Sequence, residues 1–256
     1  MVSKILVPIK RVVDPNVRVR VNANGAVDTV GLKMSLNPFD ECALEKALQL
    51  REAGVATHVT VLTCGTSVCQ DVLRTALAMG ADDAVLIDTA TPPDSLAVAR
   101  LLKAHMAAHD YQLVLCGKQA IDDDIGGVAA MLAGLLDWPQ ALDASALEAN
   151  DGGWRVTCND DNGTATWLLD GPAVISADLR LAEPRRVTLP SIVKARQKPL
   201  TVVDVHTLGV DLTPHVHIDA LDEPPRRQAG IKVASTAALI EVLAQHNVFE
   251  SSGVAN

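Results

Sequence analysis

The chain has 256 residues and a formal charge of −9, a balance that argues against a nucleic-acid partner. It is 48% hydrophobic but only 2% aromatic, so its core must be built from Ala, Val, Leu and Ile, as in sheets covered by helices. Five cysteines without a Cys-x-x-Cys pair suit reduced thiols in the cytoplasm better than a disulfide or zinc framework, and neither an export signal nor a run of the ~18 apolar residues needed to enter a membrane is present.

Lys4 to Lys10 reads as a first strand with Pro8 near its far end, where a missing ladder donor is tolerated. Arg11 to Asp28 is polar and Gly-containing, a long excursion holding one hairpin. Asn37-Pro38-Phe39-Asp40-Glu41 then predicts a helix start, with Asn37 as cap, Pro38 at the first position and acids in the first turn; Gly54 closes it. His58 to Cys64 is the next strand, followed by a helix capped by Ser67 and stopped at Gly80, a strand over Asp83 to Asp88, and a helix capped by Asp94. Leu113 to Cys116 is a short apolar run of the kind buried on both faces of a parallel sheet. It ends in Gly117-Lys118-Gln119-Ala120-Ile121-Asp122-Asp123-Asp124-Ile125-Gly126-Gly127, after which Val128, Met131, Leu132, Leu135 and Leu136 take helical spacing.

Strands alternating with helices predict a doubly wound, mostly parallel α/β sheet through about Trp138. Beyond it, Trp154 to Asn159 and Ala165 to Leu169 form a β-hairpin around an Asn162-Gly163 turn, and Ala173 to Leu179 returns to the sheet. Arg180 to Lys198 carries six basic residues against one acid, Glu183. The last portion, with Pro224-Pro225-Arg226-Arg227 and a helix from Ser235, reads as an extended C-terminal arm. The expected division is therefore 1–220 as one α/β domain and 221–256 as the arm.

Open α/β sheets bind ligands outside the carboxyl ends of their strands, which makes Gly117 to Val128 the first site candidate. Its backbone N–H groups suit a nucleotide phosphate, and it also fits a plain strand-to-helix turn. No Gly-x-Gly-x-x-Gly or Walker-type loop occurs, which disfavours pyridine-dinucleotide and ATP-hydrolysing readings. Asp122, Asp123 and Asp124 fit a solvated helix cap better than a metal site, and His215-x-His217 has no third ligand near it in sequence. Cys64, beside Gly65, fits either a small buried thiol or a backbone contact to ligand. No nucleophile motif is present, so no residue is assigned a catalytic role. Thr188-Leu189-Pro190-Ser191-Ile192-Val193 is an apolar island among Lys194, Arg196 and the other basic residues, and predicts an anchor for a partner pocket with an acidic rim.

Several longer strings carry a resemblance. Ile9-Lys10-Arg11-Val12-Val13-Asp14, Asn37-Pro38-Phe39, Arg74 to Asp82, Gly117 to Asp124, Leu136 to Gln140, Ala177 to Leu181, Glu183-Pro184-Arg185, Thr188-Leu189-Pro190 and Ala229 to Lys232 occur in order. With them the chain resembles the β subunits of electron transfer flavoproteins over nearly its whole length. The resemblance implies a Rossmann-like domain of the adenine-nucleotide-binding type, paired with an α subunit that holds FAD. It implies a structural AMP held by Pro8, Asn37 to Asp40, Cys64 and Gly117 to Val128, with Phe39 approaching the flavin. Leu189, within the recognition loop 183–198, is similar to the anchor that docks into acyl-CoA dehydrogenases and related flavoenzymes; Thr188, Pro190, Ile192, Val193, Lys194 and Arg196 accompany it. The arm would embrace the α subunit, and electrons would leave to a quinone oxidoreductase. Such a carrier is not itself an enzyme, because the redox chemistry belongs to the flavin.

Two positions depart from the family pattern. Where the family has an amide-hydroxyl stretch ending in Gln-Thr-Gly, this chain has Ile125-Gly126-Gly127-Val128, with no side-chain donor; the expectation is AMP bound by backbone N–H groups, with reduced affinity or an altered pose. Pro15 replaces an aromatic residue that often lies near the flavin. Two other readings stay open: an electron-bifurcating relative with a second FAD in place of AMP, and a stand-alone nucleotide-binding regulator of the stress-protein type.

Overall fold

In the computed structural model, residues 2–22, 25–216, 218–225, 227 and 229–248 are described; His217 and Arg226 lie outside them. The chain divides into two compact units, one through Ala220 and one from Leu221.

The first unit opens with β1 (Val2–Pro8), and the excursion that follows is closed at its base by a short antiparallel ribbon of β2 (Arg11–Val13) and β3 (Met34–Leu36), with one isolated bridge, Val21 to Val27, further out. Helix α1 (Pro38–Glu52) begins at the Asn-Pro signal, and Gly54 follows it in the left-handed region at φ 73°, which suits glycine. Asn37 occupies the cap position, but its side chain makes no cap hydrogen bond and is used elsewhere. Next come β4 (Ala56–Gly65), α2 (Gln70–Met79) and β5 (Asp83–Asp88). Ser67 does not cap α2: it opens a 3-10 turn, Ser67–Cys69, that leads into the helix. Helix α3 (Ser95–Met106) has the expected cap, Asp94 accepting from Ala97 N. Then follow β6 (Leu113–Gly117) and α4 (Val128–Leu136).

The remaining strands of this unit are β7 (Gln140–Asn150), β8 (Gly153–Asp160), β9 (Gly163–Asp170) and β10 (Ala173–Ala177); α5 (Leu189–Ala195) and β11 (Leu200–Asp204) complete it. The β8–β9 register pairs Asp160 with Gly163, so the hairpin turn is Asp161-Asn162 rather than Asn162-Gly163. Asp160 stabilises that turn by accepting the N–H of Asn162. In the second unit, α6 (Thr236–Gln245) is capped by Ser235, and none of its residues is buried.

The nine strands form one sheet in the order β11-β5-β4-β1-β6-β10-β7-β8-β9. The seven strands from β11 to β7 are parallel, and β8 and β9 extend the sheet as an antiparallel hairpin. Alternation along β1 sends Ile5 and Val7 into one core layer, with Leu44, Leu48 and Leu73 of α1 and α2. Leu6 goes to the other layer, with Leu101, Leu102 and Leu132 of α3 and α4. Removing such a fully buried leucine costs about 2–5 kcal/mol, enough to threaten a domain of ordinary stability. From β1 the chain first adds β4 and β5 on one side and then crosses to β6 on the other, so the winding reverses between β1 and β6.

Candidate functional site

A cavity of about 360 Å³ opens outside the carboxyl ends of β1, β4 and β6, at the point where the winding reverses. Pro8, Cys64 and the run Gly117 to Ala120 come from those strand ends, Asn37 and Asp40 from the start of α1, and Asp123 and Ile125 to Val128 from the turn into α4. Leu62, Leu96, Val98, Leu102, Cys116 and Met131 make the remaining wall largely apolar.

The polar groups hold the turn in place. Asn37 Nδ2 donates to Gln119 O (2.8 Å), and Ile121 N donates to Asn37 Oδ1 (3.3 Å), which explains why this asparagine does not cap its own helix. Asp40, buried at the helix start, accepts Lys10 N (2.8 Å) and Gly117 N (3.1 Å), thereby joining the ends of β1 and β6. Burial outweighs these donors and pushes its carboxyl up to about 7. Gly117 must be glycine here, because a Cβ would fall on Asp40 Oδ1 and lie 2.9 Å from Phe39 Cβ. Gly126 adopts φ 62°, and a Cβ there would sit 2.9 Å from Lys118 O.

The charges around the cavity are already engaged. Lys10 Nζ lies 2.8 Å from both Asp122 Oδ1 and Asp123 Oδ2, and Gln119 Nε2 donates to Asp124 Oδ1 at 2.8 Å. Burial works against the Lys10 ammonium, but the two carboxylates prevail and raise its pKa. Lys118 Nζ turns to Asp143 (2.9 Å), inside β7, and to Asp178 (3.7 Å), just after β10. Burial pushes the Cys64 thiol up to about 12 and raises that of Cys116 too, so neither is a thiolate near neutral pH. In contrast, the N–H groups of Gly126, Gly127, Val128 and Ala129 have no acceptor among the described residues, as expected at a helix start without a side-chain cap. Of these four residues, Gly126, Gly127 and Val128 line the cavity, whose remaining wall is largely apolar.

Of the positions expected to touch a nucleotide, Pro38, Phe39, Ile121, Asp122 and Asp124 do not line this cavity. Sequence reasoning missed Pro92 to Leu96, the loop after β5, together with His215 and Val216. His215 is tied to that loop by its N–H, which donates to Asp94 Oδ2 at 2.9 Å. Asp94 carried a cap signal, but nothing in the sequence signalled its second role.

The Electron transfer flavoprotein domain matches residues 24–208. An electron transfer flavoprotein subunit beta from Bradyrhizobium diazoefficiens is 46% identical over 241 residues, covering 94% of this chain and 97% of that relative. The corresponding proteins of Dictyostelium discoideum (43%, 96% and 99% covered) and Homo sapiens (42%, 94% and 96%) agree. The chain belongs to the electron transfer flavoprotein β-subunit family.

A second surface of this family member is the segment that ends in α5. Leu189 is 79% exposed, with Ile192 and Val193 also open to solvent, while Ala195 is buried. Thr188 and Ser191 form a capping box that sets the start of α5. Arg74 Nη1 holds the other end by donating to Ala195 O (2.9 Å) and Lys198 O (3.0 Å). The basic character of the segment is narrower than the sequence suggested. Arg180 pairs with Asp178, Arg185 with Glu45 and Glu52, and Lys198 Nζ donates to Leu77 O and Ala81 O at the end of α2. Arg186, Lys194 and Arg196 make no ion pair among the described residues and remain available beside Leu189. Pro15 is exposed in the turn after β2, and no described helix is long and apolar enough to cross a membrane.

Proposed function

We propose that this β subunit forms a heterodimeric electron carrier with an α subunit, and that AMP fills the cavity at the sheet edge as a structural ligand. The observation that carries this reading is the coincidence, at the switch point of the sheet, of residues from the family strings Asn37-Pro38-Phe39 and Gly117 to Asp124 with the unengaged N–H groups of Gly126 to Val128. Those amides suit a phosphate, and the apolar wall of Leu62, Leu96 and Met131 suits a base ring. A volume of about 360 Å³ falls within the ~300–1,000 Å³ range of small-molecule sites and suits a mononucleotide.

FAD, held mainly by the α subunit near Phe39, supplies the electron-accepting chemistry when bound. The β subunit contributes a wall, the docking segment around Leu189, and the arm that clasps its partner. Electrons come from acyl-CoA dehydrogenase-type flavoenzymes and go to a quinone oxidoreductase. The five free thiols fit a reducing compartment, for which we infer the cytoplasm; the relatives from Oryza sativa and Arabidopsis thaliana are named as mitochondrial. To test the carrier role, the chain is coexpressed with its α subunit and mixed anaerobically with an acyl-CoA dehydrogenase and its substrate. Bleaching of the heterodimer flavin that requires the dehydrogenase is expected; a flavin that stays oxidised contradicts the role.

A further inference from the structure

Lys10 is held from three sides at the rim of the cavity. Its N–H donates to Asp40 Oδ2 (2.8 Å), its carbonyl accepts Asn37 N (3.0 Å), and its ammonium reaches Asp122 and Asp123, both at 2.8 Å. The backbone is therefore fixed, and the side chain bridges to a turn more than a hundred residues away in the chain. That turn is unevenly supported. Its first half is pinned by Asn37, through Gln119 O and Ile121 N. Beyond Ile121 the hydrogen bonds are local: Asp124 N to Ala120 O, Ile125 N to Asp123 Oδ1, and Gln119 Nε2 to Asp124 Oδ1. Among the described residues, Lys10 provides the hydrogen bonds and ion pairs that reach residues 122–125 from outside the turn. These residues lead straight into Gly126 and Gly127, which line the cavity and whose amides have no acceptor among the described residues.

We propose that Lys10 is a positioning residue: its ammonium ties the acidic turn Asp122-Asp123 to the end of β1, and so holds the amides of Gly126 to Val128 where a ligand phosphate meets them. It does not serve as the phosphate's own counter-charge, because both carboxylates already claim it. The identity of the ligand rests on the AMP reading above; the tie between strand and turn does not.

The two roles make opposite predictions for the acidic side. If Lys10 positions the turn, removing either end of the bridge loosens the same amides. If Lys10 is a phosphate counter-charge, Asp122→Ala/Asp123→Ala frees it and deletes two repelling charges, so AMP binds more tightly. The test uses the heterodimer stripped of nucleotide, AMP titration by calorimetry, and hydrogen exchange of residues 119–127. We expect Lys10→Met and Asp122→Ala/Asp123→Ala each to speed exchange in that segment and weaken AMP by about fivefold, the scale of a shared, partly exposed ion-pair network. Lys10→Arg should restore both readouts. Asp122→Ala alone, which leaves the Asp123–Ile125 bond intact, should move them in the same direction by less. Unchanged exchange in Lys10→Met, or tighter AMP in the double alanine variant, overturns the proposal. Wild-type protein that binds no AMP while its exchange responds as expected leaves the tie standing and removes AMP as the ligand.

Discussion

At the scale of single residues, two glycines and one histidine make testable demands. Gly126 combines φ 62° with a Cβ position 2.9 Å from Lys118 O, so Gly126→Ala must move the turn that presents the free amides. Strain of this kind costs about 1–3 kcal/mol, and we expect nucleotide affinity in the heterodimer to fall by about tenfold or more while the flavin spectrum is kept. Gly117→Ala meets Asp40 and Phe39 instead and should lower overall stability by about 1–3 kcal/mol in urea unfolding. His105 packs against the rings of His109 and Tyr111, with Nε2 3.3 Å from the Tyr111 hydroxyl. Burial first, and the neighbouring His109 second, bring its pKa down to about 4, with Asp83 opposing. A histidine whose pKa falls on folding contributes stability that is complete above its unfolded value of about 6.5 and is lost as pH drops toward 4. Asp40, raised to about 7, has the opposite sign over the same window: its share is complete below the unfolded carboxylate value and is lost as pH rises to 7. Melting temperatures of wild type and His105→Gln therefore separate the two. Between pH 7 and 5 the wild type should lose more stability than the variant, and parallel curves would show that His105 does not titrate in this way.

At the scale of elements, the parts that were legible in the sequence are those whose burial writes a periodic pattern. β1, β4, β5 and β6 are apolar runs because both faces of their strands are covered, and α1 to α4 carry stripes that pack on them. Strand β7 escaped because its burial alternates irregularly: Asp143 lies at φ 61° and the pairing register slips between Ala144 and Ala146. Strand β11 is an edge whose residues are mostly exposed, so it carries little hydrophobic signal. The net charge around α5 was not legible in the sequence for a different reason. Arg185 is neutralised by Glu45 and Glu52, 140 and 133 residues away, a pairing that no local window contains. What remains around α5 is a small apolar tip with three cations that make no ion pair among the described residues, pinned at both ends. We expect Leu189→Ala to slow reduction of the heterodimer flavin by an acyl-CoA dehydrogenase about tenfold, in keeping with loss of an interface anchor. The bound flavin spectrum should be unchanged, and wild-type reduction kinetics in the variant would remove Leu189 as the anchor.

At the scale of the whole molecule, the sheet order places its reversal between β1 and β6, and that reversal gathers residues from distant parts of the chain into one cavity. The strand-end half of the cavity was expected from the apolar run that ends at Gly117, while Pro8 and Cys64 came to it through the family resemblance. The opposite half, Pro92 to Leu96 with His215, was not, since loops without glycine or charge patterns give no sign of what they face. Residues 125–128 carry no side-chain hydrogen-bond donor, so under the proposed AMP reading the unengaged amides at the start of α4 are the groups left to meet the phosphate. The most direct measurement is to purify the chain with its α subunit, denature the complex and identify the released nucleotides by mass spectrometry. One FAD and one AMP per heterodimer is the predicted result. Two FAD without AMP, or no flavin at all, would contradict it.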